Sequence, residues 1–172
     1  CPGTPDTVDI WVEPVPRLTV ATGSDTLFDG ASSALVISSP TVPTLPVRFR
    51  YVIHPDHPAS IIYNALAVPG KENGDTLAEN FVNLTDTVQR LIIEVTPYTV
   101  TGAGTERCSG SPASGEYWIE PTPRVSISHA QDTICTGLHP ELGLATVSRT
   151  LHPVRFRYEY EYDPAKEAVV MH

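Results

Sequence analysis

The sequence is short of positive charge, of cysteine and of long apolar runs. It has 11 Lys and Arg against 20 Asp and Glu, which gives a formal net charge of −9. Nucleic-acid binding requires basic patches, so this balance argues against a nucleic-acid partner. No stretch approaches the roughly 20 apolar residues of a membrane span. The 3 Cys form no C-x-x-C pair, so metal-ligand spacing is missing and we predict neither a metal nor another cofactor.

Long helix-forming runs are absent as well, whereas strand formers and turn formers are plentiful. The chain has 17 Pro and 11 Gly, with much Thr and Ser. About seven short strands at roughly 8–12-residue spacing, separated by turn residues, are typical of an antiparallel β-sandwich. We therefore predict an all-β fold of immunoglobulin-like sandwich domains. Further strands are predicted at 60–68, 76–84, 88–96 and 114–120, with a Gly-rich loop at 102–104.

The sequence repeats itself with a period of 107 residues. Residues 1–65 align with 108–172 without a gap and give 19 identities in 65 positions, against roughly four expected from ordinary composition. The hexapeptide PVRFRY at 46–51 recurs at 153–158. This period suits a whole domain of roughly 100 residues rather than a solenoid unit of roughly 20–50. We predict tandem domains in a linear array.

The period divides the chain into three parts. Residues 1–16 are predicted to be the last strand of a preceding repeat, 17–121 a complete domain, and 122–172 the first half of the next domain. This half-domain lacks counterparts of residues 66–107, so it cannot close a core of its own. Either the chain is a section of a longer protein, which we favour, or another chain completes the half-domain.

A repeated heptapeptide marks the boundary between repeats, WVEPVPR at 11–17 and WIEPTPR at 118–124. Residues 6–13 alternate as a half-buried strand does, and the prolines end that strand because proline cannot donate to a ladder. A Pro-X-Pro spacer is short and stiff, and the two tryptophans lie on the outward phase, where an indole is usually covered. The residues predicted to make contacts between domains or between chains are Trp11, Trp118, Pro14, Pro16, Pro121 and Pro123.

Two other clusters have simpler interpretations. Arg48 and Arg50 face outward on the predicted strand 47–53, and we expect them to pair with Glu on a neighbouring strand. Contact with an acidic glycan or the next subunit is the alternative. The loop HPDH at 54–57 holds metal-capable residues, but its counterpart keeps only the aspartate, so we interpret it as a solvated turn.

Several motifs resemble one family. DTICTG at 132–137, NLTD at 83–86 followed by IIEVTP at 92–97, and CSGSP at 108–112 followed by IEPTP at 119–123 are similar to the PKD-like, immunoglobulin-like repeats of giant secreted surface proteins of Bacteroidota. The resemblance implies gliding-motility-type adhesins and other giant surface proteins, often exported by the type IX system and located at the cell surface or outside the cell. It implies no catalysis. The sequence departs from the family at Phe28, where the family often has Cys, and at the two tryptophans.

The resemblance also implies a covalent modification. The bacteria of this family attach O-glycans to Ser or Thr in an Asp-Ser/Thr-aliphatic motif, which occurs here five times. The alternative is turn chemistry, in which Asp caps a turn and Thr begins a strand. Asn83-Leu84-Thr85 also matches an N-glycan sequon. The predicted O-glycosylation sites are Thr7, Thr26, Thr76, Thr87 and Thr133.

The family pattern further implies a disulfide inside each domain, from an opening Cys to the Cys of the closing loop. In the complete repeat this would join position 28 to Cys108, but position 28 is Phe. The partner of Cys135 would lie beyond residue 172. A bond between Cys108 and Cys135 is the other possibility, although it must bridge the boundary between repeats.

Three functions remain open at this point. The first is a non-enzymatic, glycosylated extracellular repeat protein, working as a stalk, adhesin or fibre whose partners are the neighbouring repeats. The second is a self-assembling extracellular filament in which other copies of the chain complete each repeat. The third is a carbohydrate-binding module of a secreted enzyme, for which the aromatic platform would come from Trp11, Trp118 and the tyrosines at 158–162.

Overall fold

The computed structural model describes residues 3–21, 24–64, 70–131, 133–135 and 137–159. These residues form strands and turns, with one 3-10 turn at Pro58–Ser60 and no α-helix, which confirms the all-β prediction. The strands within them are β1 (Thr19–Ala21), β2 (Thr26–Phe28), β3 (Leu35–Ser38), β4 (Val47–Pro55), β5 (Ile61–Tyr63), β6 (Thr76–Leu77), β7 (Phe81–Asn83), β8 (Gln89–Val100), β9 (Glu106–Ser109), β10 (Ala113–Glu120), β11 (Val125–His129) and β12 (Leu142–Thr146).

The largest sheet is built around the long strand β8. Its order is β2-β10-β8-β4, and β9 also pairs with β8. All of its ladders are antiparallel except that of β2 and β10, which run parallel with Trp118 opposite Thr26. A smaller sheet has the order β1-β3-β6, and β5 pairs with β7. We call residues 17–121, which contain all ten of these strands, the central segment, and residues 122–159 the following segment.

The core of the central segment draws on every one of these sheets. On β4, Phe49, Tyr51 and Ile53 are buried while the residues between them face solvent or lie half-buried, as the alternation predicts. Burial and a hydrogen bond to Glu79 raise the pKa of Tyr51 above its usual range, so the phenol stays the donor of that bond. The other buried core residues are Leu35, Ile37, Ile61, Leu77, Phe81, Leu91, Ile93, Val95, Tyr117 and Ile119.

The outward arginines of β4 pair with glutamates, although neither glutamate lies on a strand that neighbours β4. Arg48 pairs with Glu72, and Arg50 donates to Glu106 at 2.7 Å. The guanidinium of Arg50 also lies 5.3 Å from the ring centre of Tyr98. These exposed pairs contribute little stability singly, so they are a solvated face.

The predicted strand at residues 6–13 is wrong, because residues 3–18 form no strand. Its sequence counterpart is β10, which pairs with β8 on one side and β2 on the other. The printed sequence holds no counterpart of β8 ahead of residues 6–13, so their backbone has no ladder to join. The apolar side chains that consequently stay exposed are Val8, Ile10 and Val12.

Three other strand boundaries differ from prediction. The predicted strand 88–96 continues through Pro97 to the end of β8, because Phe49, opposite Pro97, bonds to Lys71 instead and requires no donor from the proline. The predicted strand 76–84 is divided into β6 and β7. Strand β9 follows the loop predicted at 102–104, in a stretch where the sequence predicts no strand. Part of the predicted strand 60–68 lies outside the described residues.

The following segment pairs its strands in the register used by the central segment. Val20 lies opposite Ile37 in the β1–β3 ladder, and Ile127 lies opposite Leu144 in the β11–β12 ladder. Each position of the second pair follows its counterpart by 107 residues. Exposure differs, however: Leu35 is 1% exposed and its counterpart Leu142 is 44% exposed. Leu35 lies against β6, whose counterpart the printed sequence does not contain.

Candidate functional site: two proline-containing joints

The second joint (residues 118–124) is held by a buried carboxylate. Glu120 ends β10 and is only 3% exposed, although carboxylates are seldom fully buried unless they are paired. Its Oε1 accepts the backbone N–H of His152 at 2.9 Å and lies 2.7 Å from Nδ1 of the same residue. A side chain from the last strand of the central segment thus holds a loop of the following segment.

A second contact at this joint is made by the turn at Asp86. The backbone N–H of Arg149 donates to the Asp86 carbonyl at 2.7 Å, and Thr87 and Arg149 form a parallel bridge. Nε of Arg124 lies 2.9 Å from Oδ1 of Asp86. This is an ion pair without hydrogen-bond alignment, because that oxygen accepts no hydrogen bond from the described residues. Backbone pairing and opposite charge therefore act at the same turn.

The spacer of the second joint is fastened back onto the central segment. Pro121 is buried and Pro123 is exposed. Between them, the hydroxyl of Thr122 donates to Asp29 at 2.6 Å. These contacts leave little freedom to a spacer whose prolines already fix their own φ angles.

The first joint (residues 11–17) repeats two of these arrangements. Glu13 Oε2 accepts the backbone N–H of Thr44 at 2.8 Å, much as Glu120 accepts that of His152. The backbone N–H of Arg17 donates to Thr41 Oγ1 at 3.1 Å. One period later, the backbone N–H of Arg124 donates to Ser148 Oγ at 2.9 Å. The Glu and Arg of the heptapeptide therefore act on the same loop in both copies.

Pro16 anchors the first joint against the central segment. It is fully buried, and its carbonyl lies so close to Gly110 that a Cβ on that glycine would sit 2.0 Å from the oxygen and 2.8 Å from Cγ of Pro97. Only glycine allows this approach of the two backbones. The glycine of the CSGSP motif thus provides the surface on which the spacer of the first joint packs.

We expect Gly110→Ala to lower the free energy of unfolding by about 1–3 kcal/mol, since the added methyl group must displace Pro16 or Pro97. Gly115→Ala is the matched control, because its Cβ would make an ordinary 3.5 Å contact with the ring of Tyr117. Denaturant unfolding measures both. Equal losses in the two variants would contradict the seating of Pro16 on Gly110.

The two tryptophans have different environments. Trp118 is half-buried within β10, opposite Arg90 on one neighbour and Thr26 on the other. Trp11 is 88% exposed, because residues 6–13 join no sheet. Of the tyrosines at 158–162, Tyr158 is 62% exposed, and residues 160–162 lie outside the described part of the chain.

The five threonines of the Asp-Thr motifs lie at the surface to different degrees. Thr7, Thr76, Thr87 and Thr133 are exposed, and Thr26 on β2 is half-buried. Asp6 accepts the backbone N–H of Thr7 at 2.9 Å, and Asp25 accepts the hydroxyl of Thr26 at 3.3 Å. Both contacts join neighbouring residues, whereas the Asp side chain of an Asx turn bonds to the backbone two residues further on.

Asn83 of the N-glycan sequon is a structural residue. It is 6% exposed, and its Nδ2 donates to the carbonyls of Thr87 at 2.8 Å and Ile119 at 2.9 Å. Its Oδ1 accepts the backbone N–H and the hydroxyl of Thr85. An amide nitrogen that is buried and uses both hydrogens is not placed to carry a sugar.

Cys108 and Cys135 are free thiols in the structure. Cys108 lies on β9, where its backbone N–H donates to Thr99, and Cys135 is exposed between β11 and β12. The two thiols belong to different segments on either side of the second joint. The alternative of a Cys108–Cys135 disulfide is therefore not realised.

Comparison with known proteins assigns the chain to no family. No protein-family model matches it, and no curated protein matches it. Within the described ranges, no group of three His, Cys, Asp or Glu is placed to hold a metal ion. In that same part of the chain, no helix is long and apolar enough to cross a bilayer.

Sequence reasoning identified the joints but missed most of the residues that hold them. The Glu and Arg of the heptapeptide are visible as repeated letters. Thr41 and Ser148 share a period position and a hydroxyl, a signal that could have been used. Asp86 and His152 are contributed by loops far away in sequence, and no local pattern indicates that they meet the heptapeptide.

Proposed function

We propose that the chain is a section of a non-enzymatic, extracellular repeat protein, a stalk, adhesin or fibre of the cell surface built from immunoglobulin-like sandwich domains. Residues 1–16, 17–121 and 122–172 belong in this proposal to three successive domains. The equal registers of β1–β3 and β11–β12 support it. The core shared by the sheets of the central segment supports the sandwich.

The observation that carries the proposal is a glutamate contact that recurs at both joints, which we call the latch. Glu120 and Glu13 each reach from one side of a Pro-X-Pro spacer to a loop on the other side. A spacer that is latched in this way holds its two neighbours in one relative direction. Domains joined by such spacers extend over a distance proportional to their number, which is what a stalk or fibre requires.

We expect Glu120→Ala to loosen the second joint. The substitution removes two contacts to His152, worth about 1–2 kcal/mol for bonds to a charged acceptor beside solvent, and thus raises the undocked population roughly tenfold. Spin labels on cysteines placed at Val52 and Ala145, in a chain whose native cysteines are serine, would report a broader distribution of distances between the two segments. Glu120→Gln keeps an oxygen acceptor and is expected to broaden it less.

The control for this experiment is Glu116→Ala. Glu116 also lies on β10, where its hydrogen bond with Arg90 lowers the pKa of the carboxyl. It has no hydrogen bond or ion pair with the described residues of the following segment. If the distribution of spin-label distances is as narrow in Glu120→Ala as in the parent chain, the contacts of Glu120 do not hold the joint. That result would contradict the proposal of a rigid stalk.

A self-assembling filament is the second candidate, favoured by the apolar surface of the following segment. Phe156 is 39% exposed, although its counterpart Phe49 is fully buried, and Ile127 is 64% exposed. Another copy of the chain that covered this surface would complete the half-domain. Light scattering and electron microscopy over a concentration series decide between the two candidates, because only the filament grows with concentration.

Glycosylation belongs to the same proposal and has a separate readout. The exposed Thr7, Thr76, Thr87 and Thr133 are accessible to a modifying enzyme, and sugars there would add solubility at the surface. Intact-mass analysis of material from the native source would show hexose additions. An intact mass equal to that of the unmodified chain would contradict glycosylation, whereas the proposal of a stalk would be unaffected.

A further inference from the structure

The loop at residues 40–45 is the counterpart, one period earlier, of the loop at 147–152 that docks on Asp86. In the second joint, the N–H of Arg149 is bonded to the Asp86 carbonyl. The position equivalent to Arg149 is Val42, which is 91% exposed and whose N–H has no acceptor among the described residues. The same loop shape therefore occurs once with a partner and once without.

The charge at this site follows the same pattern. Arg124 pairs with Asp86 in the second joint. Its counterpart Arg17 is exposed and has no ion pair with any residue that the structure describes. The contacts that shape the loop from within are nevertheless present, since Thr41 bonds to Arg17 and Thr44 to Glu13. The loop is held ready for a partner that supplies a carboxylate and a carbonyl.

We propose that Arg17 and the loop at residues 40–45 form a docking surface for an acidic turn of the Asp86-Thr87 type, presented by a preceding unit of the same kind. The partner's carboxylate pairs with Arg17, and its backbone carbonyl accepts the N–H of Val42. The counterpart of His152 one period earlier is Leu45. Because His152 contacts the ring of Phe28 in the second joint, we expect Leu45 to make an apolar contact with the preceding unit at the same place. This inference rests on the proposed tandem array and adds the partner's chemistry.

The periodic sequence itself supplies the partner for a test. Because Cys1 aligns with Cys108, placing a copy of residues 17–107 directly ahead of residue 1 continues the repeat without a break. In this extended chain, residues 6–13 gain counterparts of β8 and β2 to pair with, and the added unit presents its own Asp86. The copied residues contain no tryptophan. With Trp118→Phe in the extended chain, Trp11 is the only tryptophan, and its fluorescence reports whether residues 6–13 have paired.

Two measurements are made on the 172-residue chain and on the extended chain. Amide hydrogen exchange of Val42 is expected to slow about tenfold when the added unit supplies an acceptor, and Arg149 serves as the protected reference in both. Trp11 emission is expected to shift to the blue as the indole becomes half-buried. Asp86→Ala in the added unit alone is expected to make Val42 exchange faster again, part of the way to its rate in the 172-residue chain. Asp56→Ala in the added unit is expected to leave the slowed rate unchanged.

The outcomes separate the docking surface from the array. If Trp11 becomes shielded while Val42 exchanges as fast as before, the docking surface is refuted and the tandem array stands. If Trp11 emission does not change, residues 6–13 do not pair with the added segment. That result would contradict both the tandem array and the docking surface. Slowed Val42 exchange that is indifferent to Asp86→Ala would refute the charge pairing with Arg17.

Discussion

Replacing Phe49 with alanine is expected to lower the free energy of unfolding by about 3–5 kcal/mol, the usual cost of a buried aromatic deletion. Phe49 is 0% exposed in the core, and its backbone bonds to Lys71 on the side away from β8. The backbone of β4 is held by β8 on one side and by the bridge to Lys71 on the other, which limits its collapse into the space that the ring leaves. Denaturant unfolding, followed by circular dichroism, measures the loss.

The repeat provides a matched control in the same molecule. Phe156 occupies the same place in an identical hexapeptide, yet it is 39% exposed. Phe156→Ala is therefore expected to cost only about 1–2 kcal/mol, because the residue is already 39% exposed and its loss removes less buried apolar surface. Similar losses at the two positions would mean that the following segment buries its phenylalanine in solution.

The second large effect is expected at Asn83. Asn83→Ala removes the hydrogen bonds to the carbonyls of Thr87 and Ile119 and the two bonds from Thr85. We expect this loss of a buried amide with four hydrogen bonds to cost about 2–4 kcal/mol. Asn83→Asp is expected to be no better, since a carboxylate cannot donate to the carbonyls of Thr87 and Ile119. Thermal and denaturant unfolding of both variants measure the loss.

Asn80 is the control for this substitution. It is exposed and forms only a backbone bridge with Ser32, so Asn80→Ala is expected to change stability by no more than about 0.5 kcal/mol. A mild effect of Asn83→Ala would show that the turn at residues 83–87 holds its shape without the amide.

The sequence predicts local features of this fold better than distant pairings. Alternation placed Phe49, Tyr51 and Ile53 in the core because a strand with one buried face shows its period directly. The same reasoning failed at residues 6–13, where the pattern is just as clear but the neighbouring strands are missing. A strand is a property of a ladder, and alternation alone does not show whether the ladder exists.

The joints show the same limit. The repeated Glu and Pro of the heptapeptide are visible in the sequence as a motif. Which loop Glu120 would hold depends on where β10 ends relative to residues 147–152, a distance that no local pattern encodes. Asp86 was noticed as part of an Asp-Thr motif, and its contact with Arg149 arises only once the two segments meet.

The parallel pairing of β2 and β10 has a mechanical consequence. The chain passes through β2 near the start of the central segment and leaves it through β10, and three register pairs join these strands side by side. Tension that separates the two ends slides the strands along each other, so the bonds between them are strained together instead of opening in turn. Forced unfolding is governed by the unfolding rate, and this geometry is expected to keep that rate low under load.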